Sequence, residues 1–139
     1  MNRTVTRRLL IAIGLLGVLA FLFTGVFMRT NYAMDTLDPG TRMLLRARHI
    51  YLLWASLLNL GVGSYFQIVP RGWRRRLQLL GSGLILAGPP LLAGAFFHEA
   101  TQSNIEGPLA RPAIFAALAG TVLVFIAGAK RGSSPGQDT

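Results

Sequence analysis

Four stretches of the chain carry no charged side chain, at 9–28, 50–70, 77–97 and 112–129, and charge returns only in short clusters between them. Each stretch is within the roughly 17–25 residues that cross about 30 Å of hydrocarbon as an α-helix. The pattern predicts an all-α fold, an up-and-down bundle of four transmembrane helices at about 9–28, 41–68, 77–97 and 112–129. So little chain remains that residues 1–131 form a single transmembrane domain with no separate soluble unit.

The connections sharpen this outline. Asp38-Pro39-Gly40-Thr41 supplies a capping carboxylate followed by a proline suited to a first helical turn. No helix breaker follows until Gly61, so helix 2 is expected to start outside the hydrocarbon and project beyond the outer face. The segment Pro70-Arg-Gly-Trp-Arg-Arg-Arg76 is short enough to join helices 2 and 3 as an antiparallel hairpin, with Trp73 as an interface anchor. Pro112 suits the first turn of helix 4. The Gly/Ser/Pro-rich stretch 132–139 reads as a disordered cytoplasmic tail.

Composition agrees with a membrane class. Hydrophobic residues make up 52% and charged residues 14%, against about 25% charged in soluble domains. The net charge of +9 does not point to nucleic acid, because the basic residues sit at the ends of apolar runs, where topology places them. Nine Lys and Arg lie on the N-terminal side of the bundle and five on the other, which predicts both termini in the cytoplasm. Thirteen arginines to one lysine suggest a GC-rich bacterial source, and so a bacterial inner membrane. The first apolar run is longer than the usual 7–15-residue core of a signal peptide and is expected to remain as an anchor. With no cysteine in the chain, disulfides, thiolate metal sites and iron–sulfur clusters are excluded.

Few residues offer chemistry. The two histidines, His49 and His98, fall at the outer ends of helices 2 and 3. An imidazole pair there would suit the axial ligands of a b-type haem, with Arg42 and Arg46 as counter-charges or paired instead with Glu99 and Glu106, or a metal site completed by Glu99. The more ordinary reading is interfacial packing. His49, Ser56 and Gly63 recur every seven residues and form one polar, small stripe together with Asn59. On helix 3, Gly81, Gly88, Leu91, Gly94, Ala95 and His98 share a face by spacing, and small residues permit close helix approach.

Asn59 is the strongly polar residue deep in an apolar run, and a lone amide in hydrocarbon usually bonds across helices. Gly88-Pro89-Pro90 interrupts helix 3 and frees the carbonyls of Ile85 and Leu86. Such a break is either a simple kink or the wall of a binding cleft. No carboxylate lies inside an apolar run, and no nucleophile–base pair or phosphate loop appears.

Three functions follow as expectations. The first is a structural or accessory subunit that packs against other membrane proteins or against itself, with the lipid bilayer as its other partner and no enzymatic role. The second is a haem- or metal-binding protein built on His49 and His98. The third is a binder or carrier of a small apolar molecule near Pro89, Pro90 and Asn59.

Overall fold

The computed structural model describes residues 3–33, 35–67, 72–99 and 107–128. These form four helices, α1 (Arg3–Asn31), α2 (Pro39–Tyr65), α3 (Trp73–His98) and α4 (Ala110–Gly128), with no strand among the described residues. The predicted tail at 132–139 lies outside them, as does Glu106.

The helices outlast the apolar runs that announce them. α1 includes Arg7 and Arg8 before the run and Arg29 after it, because a helix satisfies its own backbone in water as well as in hydrocarbon and need not stop where apolarity does. α2 begins where the sequence places its cap. The Asp38 carboxylate accepts from the backbone N–H of Gly40 at 3.0 Å and of Thr41 at 3.2 Å, and Pro39 occupies the first turn. The bond from the Thr41 side chain, then the two backbone donors and nearby Arg42, hold the Asp38 carboxyl below the usual carboxylate range. α3 passes through Pro89 and Pro90 without ending.

α2 and α3 form the inner pair of the bundle. α2 touches α1, α3 and α4, and α3 touches α1, α2 and α4, whereas α1 and α4 lie apart on opposite flanks. Leu52 and Ala55 of α2, Leu92 and Ala95 of α3 and Ala113 of α4 pack into one buried cluster. Leu10, Phe66 and Ile85 form a second towards one end, and Met28, Leu45 and Phe96 a third towards the other.

Glycine sets the α3–α4 distance. A Cβ on Gly81 would stand 2.7 Å from the Gly120 carbonyl, and one on Gly120 would stand 2.6 Å from the Gly81 carbonyl. The two backbones are therefore in direct contact, as small-residue crossings allow. Gly83, also a small residue of α3, meets nothing within 4 Å and is exposed. Nearer the open end of the α3–α4 pair, an Arg74 guanidinium N–H donates to the Ile126 carbonyl at 3.3 Å and ties the start of α3 to the last turn of α4.

α1, α3 and α4 are each long and apolar enough to cross a membrane. The outward faces of α1 and α4 carry exposed Leu16, Phe23, Val26, Phe115, Val122 and Phe125, apolar surface of the kind that marks contact with lipid or a partner. α2 is the exception by composition, since Arg42, Arg46, Arg48, His49 and Asn59 all lie on it.

Candidate functional site

The polar chemistry of the bundle is concentrated on α2, which directs it at two neighbours. The residues that face α1 repeat every seven positions. His49 lies against Gly25, Ser56 against Gly17, and Gly63 against Leu10 and Ile11. A Cβ on Gly17 would overlap the Ser56 hydroxyl and stand 3.1 Å from Pro89, so α1, α2 and α3 converge at this point. Ser56 donates to its own Leu52 carbonyl at 2.6 Å.

His49 stacks on Phe21 of α1, with ring centroids 4.0 Å apart and planes 19° off parallel. Its Nδ1 lies 3.0 Å from Thr24 Oγ1, which also lies 3.0 Å from the Phe21 carbonyl. The hydroxyl has one proton, and the carbonyl can only accept, so that proton goes to Phe21. With that bond made, Thr24 Oγ1 can accept from His49 when Nδ1 carries the ring proton.

The α3-facing side of α2 runs through Leu45, Arg48, Leu52, Ala55 and Asn59, all buried. Near its start, Arg48 meets Glu99, the residue just after α3. Both side chains are almost fully enclosed, at 4% and 2% exposure, with Arg48 Nε 3.5 Å from Glu99 Oε2. An Arg48 guanidinium N–H also donates to the Glu99 backbone carbonyl. Glu99 Oε1 accepts from the Leu109 backbone N–H at 2.6 Å. Gly107 closes over the pair, since a Cβ there would lie 2.5 Å from Glu99 Oε2 and 3.4 Å from the Arg48 guanidinium. One ion pair thus joins α2, the end of α3 and the approach to α4.

Deeper in the bundle, the Asn59 amide NH2 donates to the Ala55 carbonyl of its own helix and to the Ile85 carbonyl of α3, each at 2.9 Å. Ile85 lies four residues before Pro89, so its carbonyl is the one that Pro89 leaves without a helical donor. Gly88 and Pro89 are buried beside this bond, while Pro90 is exposed. Among the described residues, Asn59 Oδ1 and Glu99 Oε2 are the buried side-chain atoms without a hydrogen bond.

The structure sends the sequence candidates to different places. His49 turns into the α1 seam and His98 is exposed at the end of α3. The spacing-based face of α3 holds for Gly81, Gly88 and Ala95, which are buried, but not for Leu91 and His98, which are exposed, while Gly94 is half-buried. Glu99 faces Arg48, whereas Arg46 is exposed and Arg42 half-buried. Among the described residues no three His, Asp or Glu side chains gather as a metal site would require. A groove of about 200 Å³ does run beside Pro89 and Pro90, against Ile13, Leu16, Gly17 and Ala20 of α1. Asn59 is not part of its lining.

Two functional partners escape the sequence reading, Arg48 and Thr24. Arg48 has a legible signal, because it falls three or four residues from both Leu45 and Leu52 in the buried stripe. Thr24 has none beyond being a hydroxyl in an apolar run. No known family model, characterised protein or solved structure matches the chain.

Proposed function

We propose that the chain is a four-pass protein of a bacterial inner membrane, with both termini cytoplasmic, that serves as a structural or accessory subunit packed against other membrane proteins or a second copy of itself. One observation carries this reading. The polar side chains of the bundle tie helices to one another, at His49–Thr24, Arg48–Glu99 and Asn59–Ile85, while the outward faces offer leucine, valine and phenylalanine. Along α1 and α4 the described residues present an apolar shape to their surroundings.

The same observation supports passage of α2 through the bilayer. Polar groups in hydrocarbon are tolerated when they face the bundle interior and are paired, and Arg48, Ser56 and Asn59 are buried between helices. The absence of cysteine makes the topology directly testable. A single Thr36→Cys should react with a membrane-impermeant maleimide in intact cells, and Arg76→Cys should react only after permeabilisation. Equal labelling of the two positions would remove the crossing by α2. Cross-linking in native membranes followed by mass measurement tests the accessory role. Adducts with other membrane proteins or a second copy are expected, and a chain recovered only as a free monomer would end that reading.

A further inference from the structure

α2 has a third face, turned away from both α1 and α3. Pro39, Arg42, Met43, Arg46, Ala47 and Ile50 line a hollow of about 410 Å³ on it. A second hollow of about 230 Å³ continues from the same Ile50, lined by Tyr51 and Trp54 of α2 and by Ile114 and Leu118 of α4. The positions recur three or four residues apart, so they form a single stripe along the helix. From Arg42 to Trp54 this stripe rises roughly 18 Å.

The two halves differ in chemistry. The first is cationic. Among the described residues neither Arg42 nor Arg46 forms an ion pair, the buried one being that of Arg48 with Glu99. Four residues apart on a helix, the two guanidinium groups emerge side by side. Arg111, exposed at the start of α4, lies one turn before Ile114 and adds charge at the same level. The second half is apolar and aromatic. Because α2 and α4 run in the same direction, the cationic half lies at the membrane-boundary end of both helices and the apolar half lies deeper.

A cationic end followed by an apolar channel fits an amphiphile with an anionic head. We propose that this face of α2 and α4 binds an anionic phospholipid, its phosphate held by Arg42 and Arg46 and one acyl chain laid along Tyr51, Trp54, Ile114 and Leu118. Arginine matches phosphate geometry with paired donors, and a basic cluster at a helix end attracts anionic lipid. Asp38, one turn before Arg42 and exposed, is engaged as the helix cap, accepting from the Gly40 and Thr41 N–H groups. The proposal rests on the reading of the chain as membrane-embedded.

The chain holds two tryptophans, so Trp73→Phe leaves Trp54 as a single fluorophore in the groove. The full chain with this change is placed in phosphatidylcholine vesicles containing a minor fraction of chain-brominated phosphatidylglycerol or chain-brominated phosphatidylcholine. The anionic lipid is expected to quench Trp54 with an apparent preference of about tenfold. Arg42→Gln with Arg46→Gln should abolish the preference, whereas Arg75→Gln with Arg76→Gln, at the opposite end of the bundle, should preserve it. Equal quenching by the two lipids overturns the site. So does a preference that survives the Arg42 and Arg46 changes, or one lost equally in the Arg75 and Arg76 control. Loss of the preference on adding inorganic phosphate would mean that a free anion suffices, and would likewise overturn it. A chain that fails to float with the vesicles refutes the membrane reading itself, a result distinct from incorporation without preference.

Discussion

The face of α2 that meets α1 carries small residues and one imidazole beside Leu60, and the face that meets α3 adds an ion pair and an amide to buried Leu45, Leu52 and Ala55. On the first, Ser56 and Gly63 lie so near α1 that glycine or its backbone fills the space opposite. On the second, Arg48 and Asn59 reach groups of α3 that the helix cannot satisfy alone, namely the carbonyl of Glu99 at its end and that of Ile85 before Pro89. The α1 seam is specified by volume, and the α3 seam by pairing. One helix therefore selects its two neighbours by different physics, and the two seams should fail under different substitutions.

The largest effect is expected at the ion pair. Glu99→Ala leaves Arg48 buried without its carboxylate and should lower stability by about 3–5 kcal/mol. Arg48→Met combined with Glu99→Leu should recover most of that loss, since a buried pair replaced by apolar groups is often neutral. Denaturant titration of the detergent-solubilised chain measures both. A single substitution that shifts stability by less than about 1 kcal/mol, as exposed pairs do, would show that pairing does not hold this seam.

Volume is tested two residues apart on one helix. A Cβ on Gly63 would stand 3.0 Å from Leu10 and Ile11 side chains and 3.1 Å from the Ile11 backbone, whereas one on Gly61 meets nothing within 4 Å. Gly63→Ala should therefore cost about 1–3 kcal/mol through overpacking, and Gly61→Ala should add about 0.5–1 kcal/mol of helix stability. Equal responses at the two positions would dissolve the distinction between the seams.

A smaller effect belongs to the amide. Asn59→Ala should cost about 1 kcal/mol. In a Pro89→Ala background the penalty should shrink, because residue 89 then supplies its own N–H to the Ile85 carbonyl. A double-mutant cycle reads the coupling, and strict additivity would mean that Asn59 does not substitute for the missing donor.

The smallest effect lies outside both seams. The Asp38 carboxyl is held below its unfolded range, so its capping contribution is complete above the unfolded value, near about 4. That contribution is lost as pH falls through the lower folded value. Hydrogen exchange in the first turn of α2 should accelerate on acidification, and Asp38→Asn should flatten that response without changing exchange at Asn59. An identical acid response in the variant would place the titrating group elsewhere.

The four helices and the cap of α2 were legible because each follows from local pattern. Apolar runs of spanning length, Asp38 before Pro39, and the seven-residue recurrence of His49, Ser56 and Gly63 need no knowledge of neighbours. Asn59 and Pro89 were each legible by themselves, one as an amide that bonds across helices and the other as the source of an orphan carbonyl. That they meet depends on how far α2 is shifted along α3, which no pattern within either helix encodes. The same holds for Glu99, whose partner had to be chosen among Arg42, Arg46 and Arg48. A rotation of about 100° per residue separates these candidates, and only the leucines at 45 and 52 mark Arg48 as inward.

The bond from Asn59 to Ile85 also bears on the order in which such a bundle is built. α3 alone would enter hydrocarbon with the Ile85 and Leu86 carbonyls lacking helical donors, of which Asn59 meets the first, and each unsatisfied backbone group there costs several kcal/mol. α2 alone is the helix least suited to lipid. Each supplies what the other lacks, so a nascent chain that delivers them as a hairpin avoids exposing either defect. α1 and α4 have no such debt and can partition singly. Biogenesis would then centre on the middle of the chain, with the first and last helices closing onto a pair already committed to each other.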